Sequence, residues 1–148
     1  MPRTAEDIQV DLKKALDAFD WPAADALVNE LRVMALREPD AVDPRTAKDV
    51  LALLRDKCRI RSMGKLAQTL LAVGPEDAQV RRQMAQALID EGDYYSAEMA
   101  LDSILVNAGS SPKEKSEAQG LTGRLYKQLY VSACKEAGPT KQVELFPE

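Results

Sequence analysis

The sequence predicts an all-α fold of about seven helices arranged as stacked pairs, and three observations predict it. Apolar residues recur at helical spacing from the N-terminus to about residue 133, and no segment sustains the alternation of a strand. The hydrophobic class makes up 45% of the 148 residues while aromatics make up only 5%. The apolar surface therefore comes from Ala, Leu, Val, Ile and Met, which suit helices packed closely through small side chains. Finally, one helix pair maps onto the next at a constant offset.

The elements follow in order. Ile8, Leu12, Ala15, Leu16 and Phe19 form one face of a first helix. Thr4 with Asp7 three residues later is its N-cap signal, Asp being a shorter closing partner than Glu. Trp21-Pro22 breaks that pattern and starts a second helix, with Asp20 as N-cap and Leu27, Val28 and Leu31 along it. The Pro- and Asp-rich stretch REPDAVDPRT is a connector. A third helix carries Val50, Leu51 and Leu54, and a fourth carries Ile60, Met63, Ala67, Leu70 and Leu71 before Gly74-Pro75 stops it. A fifth holds Val80, Met84, Ala85 and Leu88, and a sixth holds Ala97, Leu101, Ile104 and Leu105. After the loop NAGSSPKEK, a seventh runs from about Ser116 to Ala133 with Leu121, Leu125 and Leu129 on one face. The remainder loses periodicity. The expected division is a helical repeat domain over residues 1–137 and a flexible tail, or the start of a linker to a further region, over 138–148.

Shifted by 34 positions, Val50 falls on Met84, Leu54 on Leu88, Ile60 on Tyr94, Met63 on Ala97 and Leu70 on Ile104. That offset is the tetratricopeptide period. ALIDEGDYYSAEMALDSIL resembles the family's consensus: Gly92-Asp93-Tyr94 looks like the turn between helix A and helix B, and Ala97 like the small residue where the two cross. Asp20-Trp21 with Ala24 resembles the same turn in a first repeat, and LTGRLY places Gly123 and Tyr126 at the family's helix-A positions. Met63 at the crossing position and the extra connector residues before Arg45 depart from the pattern. The resemblance implies an α-α superhelix of three helix pairs and a solitary seventh helix, which is either a cap or the first half of a further pair. More narrowly, EAQGLTGRLYKQLYVSA resembles part of the tetratricopeptide-containing, TRAF-binding regulatory region of mitogen-activated kinase kinase kinases. It is also similar to bacterial proteins that place such repeats beside an effector domain.

Composition excludes several function classes. The chain has no His, which removes His-based triads, bases and metal ligands. Cys58 and Cys134 stand alone rather than in a CxxC pair, and read as reduced, mostly buried thiols. The acidic carboxylates Glu91 and Asp93 have no nucleophile, metal pattern or phosphate loop beside them. The expectation is a protein that is not an enzyme and uses no cofactor or metal. A net charge of −4 argues against a dedicated nucleic-acid binder. No signal peptide or membrane-spanning stretch is visible, so a cytoplasmic location is expected.

The resemblance places partner binding on the concave surface lined by the A helices. Carried over position by position, it assigns Gln9, Lys13 and Leu16; Lys48, Ala52 and Arg55; Arg82, Gln86 and Ile89; and Gly120, Arg124 and Lys127. From these, Lys13, Lys48, Arg55, Arg82, Gln86, Arg124 and Lys127 are the candidate contacts of a protein-interaction or scaffold module. Glu6, Asp17, Asp56, Asp90 and Glu117 flank them. A basic floor with an acidic rim fits an acidic peptide segment, whose carboxylates Arg engages bidentately. Solvated helix faces rich in good helix formers look the same. The Lys-Asn-Arg clamp of chaperone-binding relatives is incomplete, because Asn29 and Asn107 lie outside the A helices.

Three other features stand out. Arg55, Lys57, Arg59, Arg61 and Lys65 cluster at one turn, either as phosphate contacts or as a solvated corner; the segment has no aromatic for base stacking. Trp21, Tyr94 and Tyr95 read as plugs between helices. Tyr126, Leu129 and Tyr130 form a stripe on the last helix that would support the alternative of a homodimer.

Overall fold

The computed structural model describes the backbone of residues 3–145 and the side chains of residues 3–135. Within them the chain forms seven α-helices: α1 (Ala5–Asp17), α2 (Trp21–Arg37), α3 (Pro44–Asp56), α4 (Ile60–Val73), α5 (Ala78–Glu91), α6 (Tyr94–Val106) and α7 (Pro112–Leu145). A short 3-10 turn over Pro39–Ala41 lies in the α2–α3 connector, and no strand occurs among the described residues. The all-α repeat architecture expected from periodicity is therefore present. Helices α1, α3, α5 and α7 take the A role and each contacts the next A helix, while α2, α4 and α6 are their B partners.

Local chemistry starts the helices where the sequence indicates. The Asp7 N–H donates to Thr4 Oγ1 at 3.1 Å and the Thr4 N–H donates back to Asp7 Oδ2 at 3.0 Å, closing a capping box despite the shorter Asp. Asp20 accepts from the Ala23 N–H at 3.2 Å, and Asp93 from the Ser96 N–H at 3.3 Å.

The three A-to-B turns share one geometry. Phe19, Cys58 and Gly92 all sit in the left-handed region, with φ of 56°, 58° and 84°. The next amide then reaches back five residues: Asp20 to the Ala15 carbonyl, Arg59 to Leu54, and Asp93 to Leu88, at 2.8–2.9 Å. These bonds satisfy carbonyls that a helix end would otherwise leave open. One position differs between repeats. Arg59 stands where Asp20 and Asp93 cap, and its side chain makes no capping bond to α4.

Two apolar clusters hold the layers. Ile8, Leu12, Leu16, Leu31, Leu51, Leu54, Met63 and Leu66 fill the space among α1–α4, and Ala97, Leu101, Ile104, Ala118 and Leu125 fill that among α5–α7. Met84 packs against both. Each fully buried Leu or Ile contributes about 1.5–3 kcal/mol by leaving water. Ala24 and Ala97 are buried at the helix crossings, and Met63 is fully buried at the matching place in the middle pair. Beside it, Gly64 of α4 packs so closely on Ala87 of α5 that a Cβ there would overlap the Ala87 methyl.

Several expectations change. Phe19 does not belong to the buried face of α1; it lies past the helix end, 69% exposed, with its ring edge-on to Trp21 at 5.7 Å. Cys58 is exposed rather than buried, because it occupies the left-handed turn position, and Cys134 is half-buried. Tyr95 is 75% exposed, so only Trp21 and Tyr94 pack between helices. Helix α7 starts at Pro112 rather than Ser116, since Ser111 Oγ accepts from the Glu114 N–H at 3.1 Å and Pro suits a first helical position. Its backbone stays helical through Gly138-Pro139 to Leu145; residues 146–148 of the expected tail lie outside the described residues.

Candidate functional site

The A-helix side chains assigned from the sequence fall into two groups. Those in the first group tie neighbouring A helices together. Lys48 of α3 pairs with Asp77 at the start of α5 at 2.6 Å. Arg82 of α5 is bonded to Glu114 of α7 at 2.7 Å, with the two side chains only 7% and 14% exposed. Arg124 of α7 pairs with Asp90 of α5, 34 positions earlier. Thus three of the candidate cations already meet carboxylates of this chain. Leu16 and Ile89, also placed in the columns by resemblance, are buried in the core.

The second group is free to meet a partner. Lys13 and Lys127 are exposed and make no ion pair among the described residues, and Gln86 is half-buried with no hydrogen bond among them. Arg55 is exposed, with its own neighbour Asp56 at 3.9 Å as its one contact of opposite charge among the described residues. The flanking acids are mostly engaged inward: Asp17 with Lys57 at 3.4 Å, Asp90 with Arg124, and Glu6 accepting from the Thr46 hydroxyl at 3.3 Å.

Asp77 is the most elaborated acid on this side. Burial alone would raise its carboxyl pKa, but the bond from Lys48 and the N–H groups of Val80 and Gln79 outweigh burial and hold it below the ordinary aspartate value. The Arg81 guanidinium likewise lowers Glu76 beside it.

A second feature lies on the B helices. A cavity of ≈ 540 Å³ opens between α2 and α4, lined by Asp25, Asn29, Arg32, Arg59, Arg61 and Lys65 among others. Arg59 lies over the Trp21 ring, 4.8 Å from its centroid, and its Nη2 donates to Asp25 at 3.2 Å. Sequence reasoning found the cluster around Arg59 but missed Arg32, which α2 contributes from far away in the chain. It also missed Trp21 as the aromatic beneath Arg59. The matching turn position in the repeat alignment was the signal that could have found the pair.

Among the described residues no group of three or more Cys, Asp or Glu side chains is arranged to hold a metal ion, and no helix is long and apolar enough to cross a membrane. A family model described as Tetratricopeptide Repeats-Sensor matches residues 59–144, more than half of the chain. Curated proteins and solved structures give no significant match.

Proposed function

Because this chain belongs to the Tetratricopeptide Repeats-Sensor family, whose kind of repeat serves protein interaction or scaffolding rather than catalysis, we propose that it receives an acidic segment of a partner protein on its A-helix face. The observation that supports this most is the division among its cations. Lys48, Arg82 and Arg124 hold the A helices to one another, which leaves Lys13, Arg55 and Lys127, with the half-buried and uncharged Gln86 between them, on four successive A helices with no interhelical ion pair among the described residues. Long cationic side chains on a fixed scaffold attract carboxylates and speed encounter, and salt weakens both effects. The likeness of the α7 segment to kinase-kinase-kinase regulatory regions supports a regulatory place within a larger signalling or defence protein. We place the module in the cytoplasm, with no cofactor.

The test follows from the same division. Reversing Arg82 would bury a second carboxylate beside Glu114 and unfold the site, so the informative variant is Lys13→Glu/Arg55→Glu/Lys127→Glu. Binding of a fluorescent Asp/Glu-rich peptide pool should fall by about tenfold or more in this variant, as expected from losing charge-assisted contacts, with unchanged circular dichroism. Equal binding by both proteins would rule out the A-helix face. The rival reading, a homodimer through α7, draws on Tyr126 and Tyr130, which are exposed on that helix, whereas Leu129 packs against the α5–α7 cluster. A mass in sedimentation equilibrium that rises with concentration, and reverts on Tyr126→Glu/Tyr130→Glu, would favour it.

A further inference from the structure

The cavity between α2 and α4 lies on the B helices, away from the A-helix face, and the reading above leaves it without a role. Its charge is unusual for this chain. Arg32, Arg59, Arg61 and Lys65 line it against one carboxylate, Asp25, in a protein whose net charge is −4. Lys48, Arg82 and Arg124 each meet a carboxylate of a neighbouring element; in this cavity most of the donors are unspent. Arg61 and Lys65 are exposed and make no hydrogen bond or ion pair among the described residues. Arg32 uses only its Nε, which donates to Thr69 Oγ1 at 2.9 Å, so both of its Nη groups lack a protein acceptor among those residues. Arg59 has a buried Nε with no hydrogen-bond acceptor among the described residues.

The donors are also held in place. Arg59 is fixed by Trp21 beneath it and by Asp25 at its Nη2, while Asp25 also accepts from Ser62 Oγ at 2.9 Å. Arg32 is fixed through Thr69, whose hydroxyl donates onward to the Lys65 carbonyl at 3.0 Å. A ligand would therefore meet two guanidinium groups already oriented, with Arg61 and Lys65 adding adjustable charge at the rim. The turn geometry contributes as well. Arg59 replaces the Asp that caps the other B helices, so the start of α4 adds a partial positive charge where its counterparts carry a carboxylate.

We propose that this cavity binds the phosphate group of a small organic phosphate. Four cationic side chains around one recess exceed what a single carboxylate can use, since a carboxylate offers two oxygens in a plane; a phosphate dianion offers three oxygens and twice the charge. At ≈ 540 Å³ the space also exceeds a bare ion and falls within the range of small-molecule sites, so an organic group fits beside the phosphate.

The experiment is isothermal titration of the chain with inorganic phosphate, phenyl phosphate and glutarate, and a flotation assay with vesicles containing phosphatidic acid. The cavity variant is Arg61→Gln/Lys65→Gln; both side chains are exposed and unpaired, and Gln keeps helix propensity, so the fold should persist. The control is Lys14→Gln/Lys113→Gln, two exposed lysines outside the cavity and outside the A-helix contact set. The expected result is saturable one-to-one binding of phenyl phosphate in wild type and control, weakened about tenfold or more in the cavity variant. Glutarate should bind more weakly than phenyl phosphate. The proposal is overturned by the absence of saturable phosphate binding, by equal affinity in wild type and cavity variant, or by glutarate binding as tightly as phenyl phosphate. Binding confined to vesicles would overturn it too, in favour of a membrane surface.

Discussion

Phe19, Cys58 and Gly92 share one backbone conformation while differing in side chain, and the difference has a measurable cost. A Cβ in the left-handed region crowds the carbonyl by about 1–2 kcal/mol, which Gly avoids. Gly92 has no heavy atom within 4 Å of where its Cβ would stand, so Gly92→Ala isolates that backbone term. Denaturant unfolding should show Gly92→Ala destabilised by about 1 kcal/mol and Cys58→Gly stabilised by about 0.5–1 kcal/mol, the latter reduced by the extra freedom of Gly in the unfolded chain. The sequence displayed this position openly in the third repeat, where Gly92-Asp93 marks a turn. It hid it in the first two, because Phe19 continues the apolar spacing of α1 and a lone reduced Cys reads as a buried thiol. Neither periodicity nor residue type carries information about the sign of φ, and so Phe19 and Cys58 looked buried.

Helices were legible one by one because each is bounded by its own capping chemistry, and the pairings between them were not. Asp77 illustrates both sides. As the N-cap of α5 it is a local signal, accepting from Gln79 and Val80; as the acceptor of Lys48 it joins α5 to α3 across many residues of chain. The same remoteness hid the pairs made by Arg82 and Arg124, so the candidate floor seemed uniformly available when half its cations are internal. Asp77 has its pKa lowered in the folded state, and Glu76 and Asp7 share that direction. The unfolded chain therefore binds protons first as pH falls. Stability from these groups is complete above the ordinary carboxylate values and is lost as pH drops through their lowered ones. Thermal melts followed by circular dichroism should show a falling midpoint below about pH 4, where free carboxylates take up protons. Asp77→Asn, which keeps an N-cap acceptor but not the charge, should start lower and fall less steeply over that interval.

At the level of the molecule, two apolar clusters meet at Met84, and stability in stacked repeats is the sum of each unit and its neighbouring interfaces. Leu125 is fully buried in the α5–α7 cluster, so Leu125→Ala should cost about 2–4 kcal/mol. Amide exchange should then speed first in α5, α6 and α7 while α1 and α2 keep their protection; uniform acceleration would mean the two clusters open as one. The stacking order was readable from the 34-residue offset, and the length of α7 was not. Tyr126 and Val131 on α7 are exposed, so among the described residues the apolar rhythm of this helix fades before its backbone ends. The Arg82–Glu114 pair sets how that long helix can seat itself. Sliding α7 along α5 by one helical turn would bring Ser110 or Ala118 opposite the guanidinium and strand two charges away from water, at a cost of about 3–5 kcal/mol. That penalty corresponds to a displaced population of less than roughly one in a hundred. The pair therefore acts as a detent: it makes one seating of the last helix strongly preferred, and any load passed down α7 would reach the repeats through that single notch.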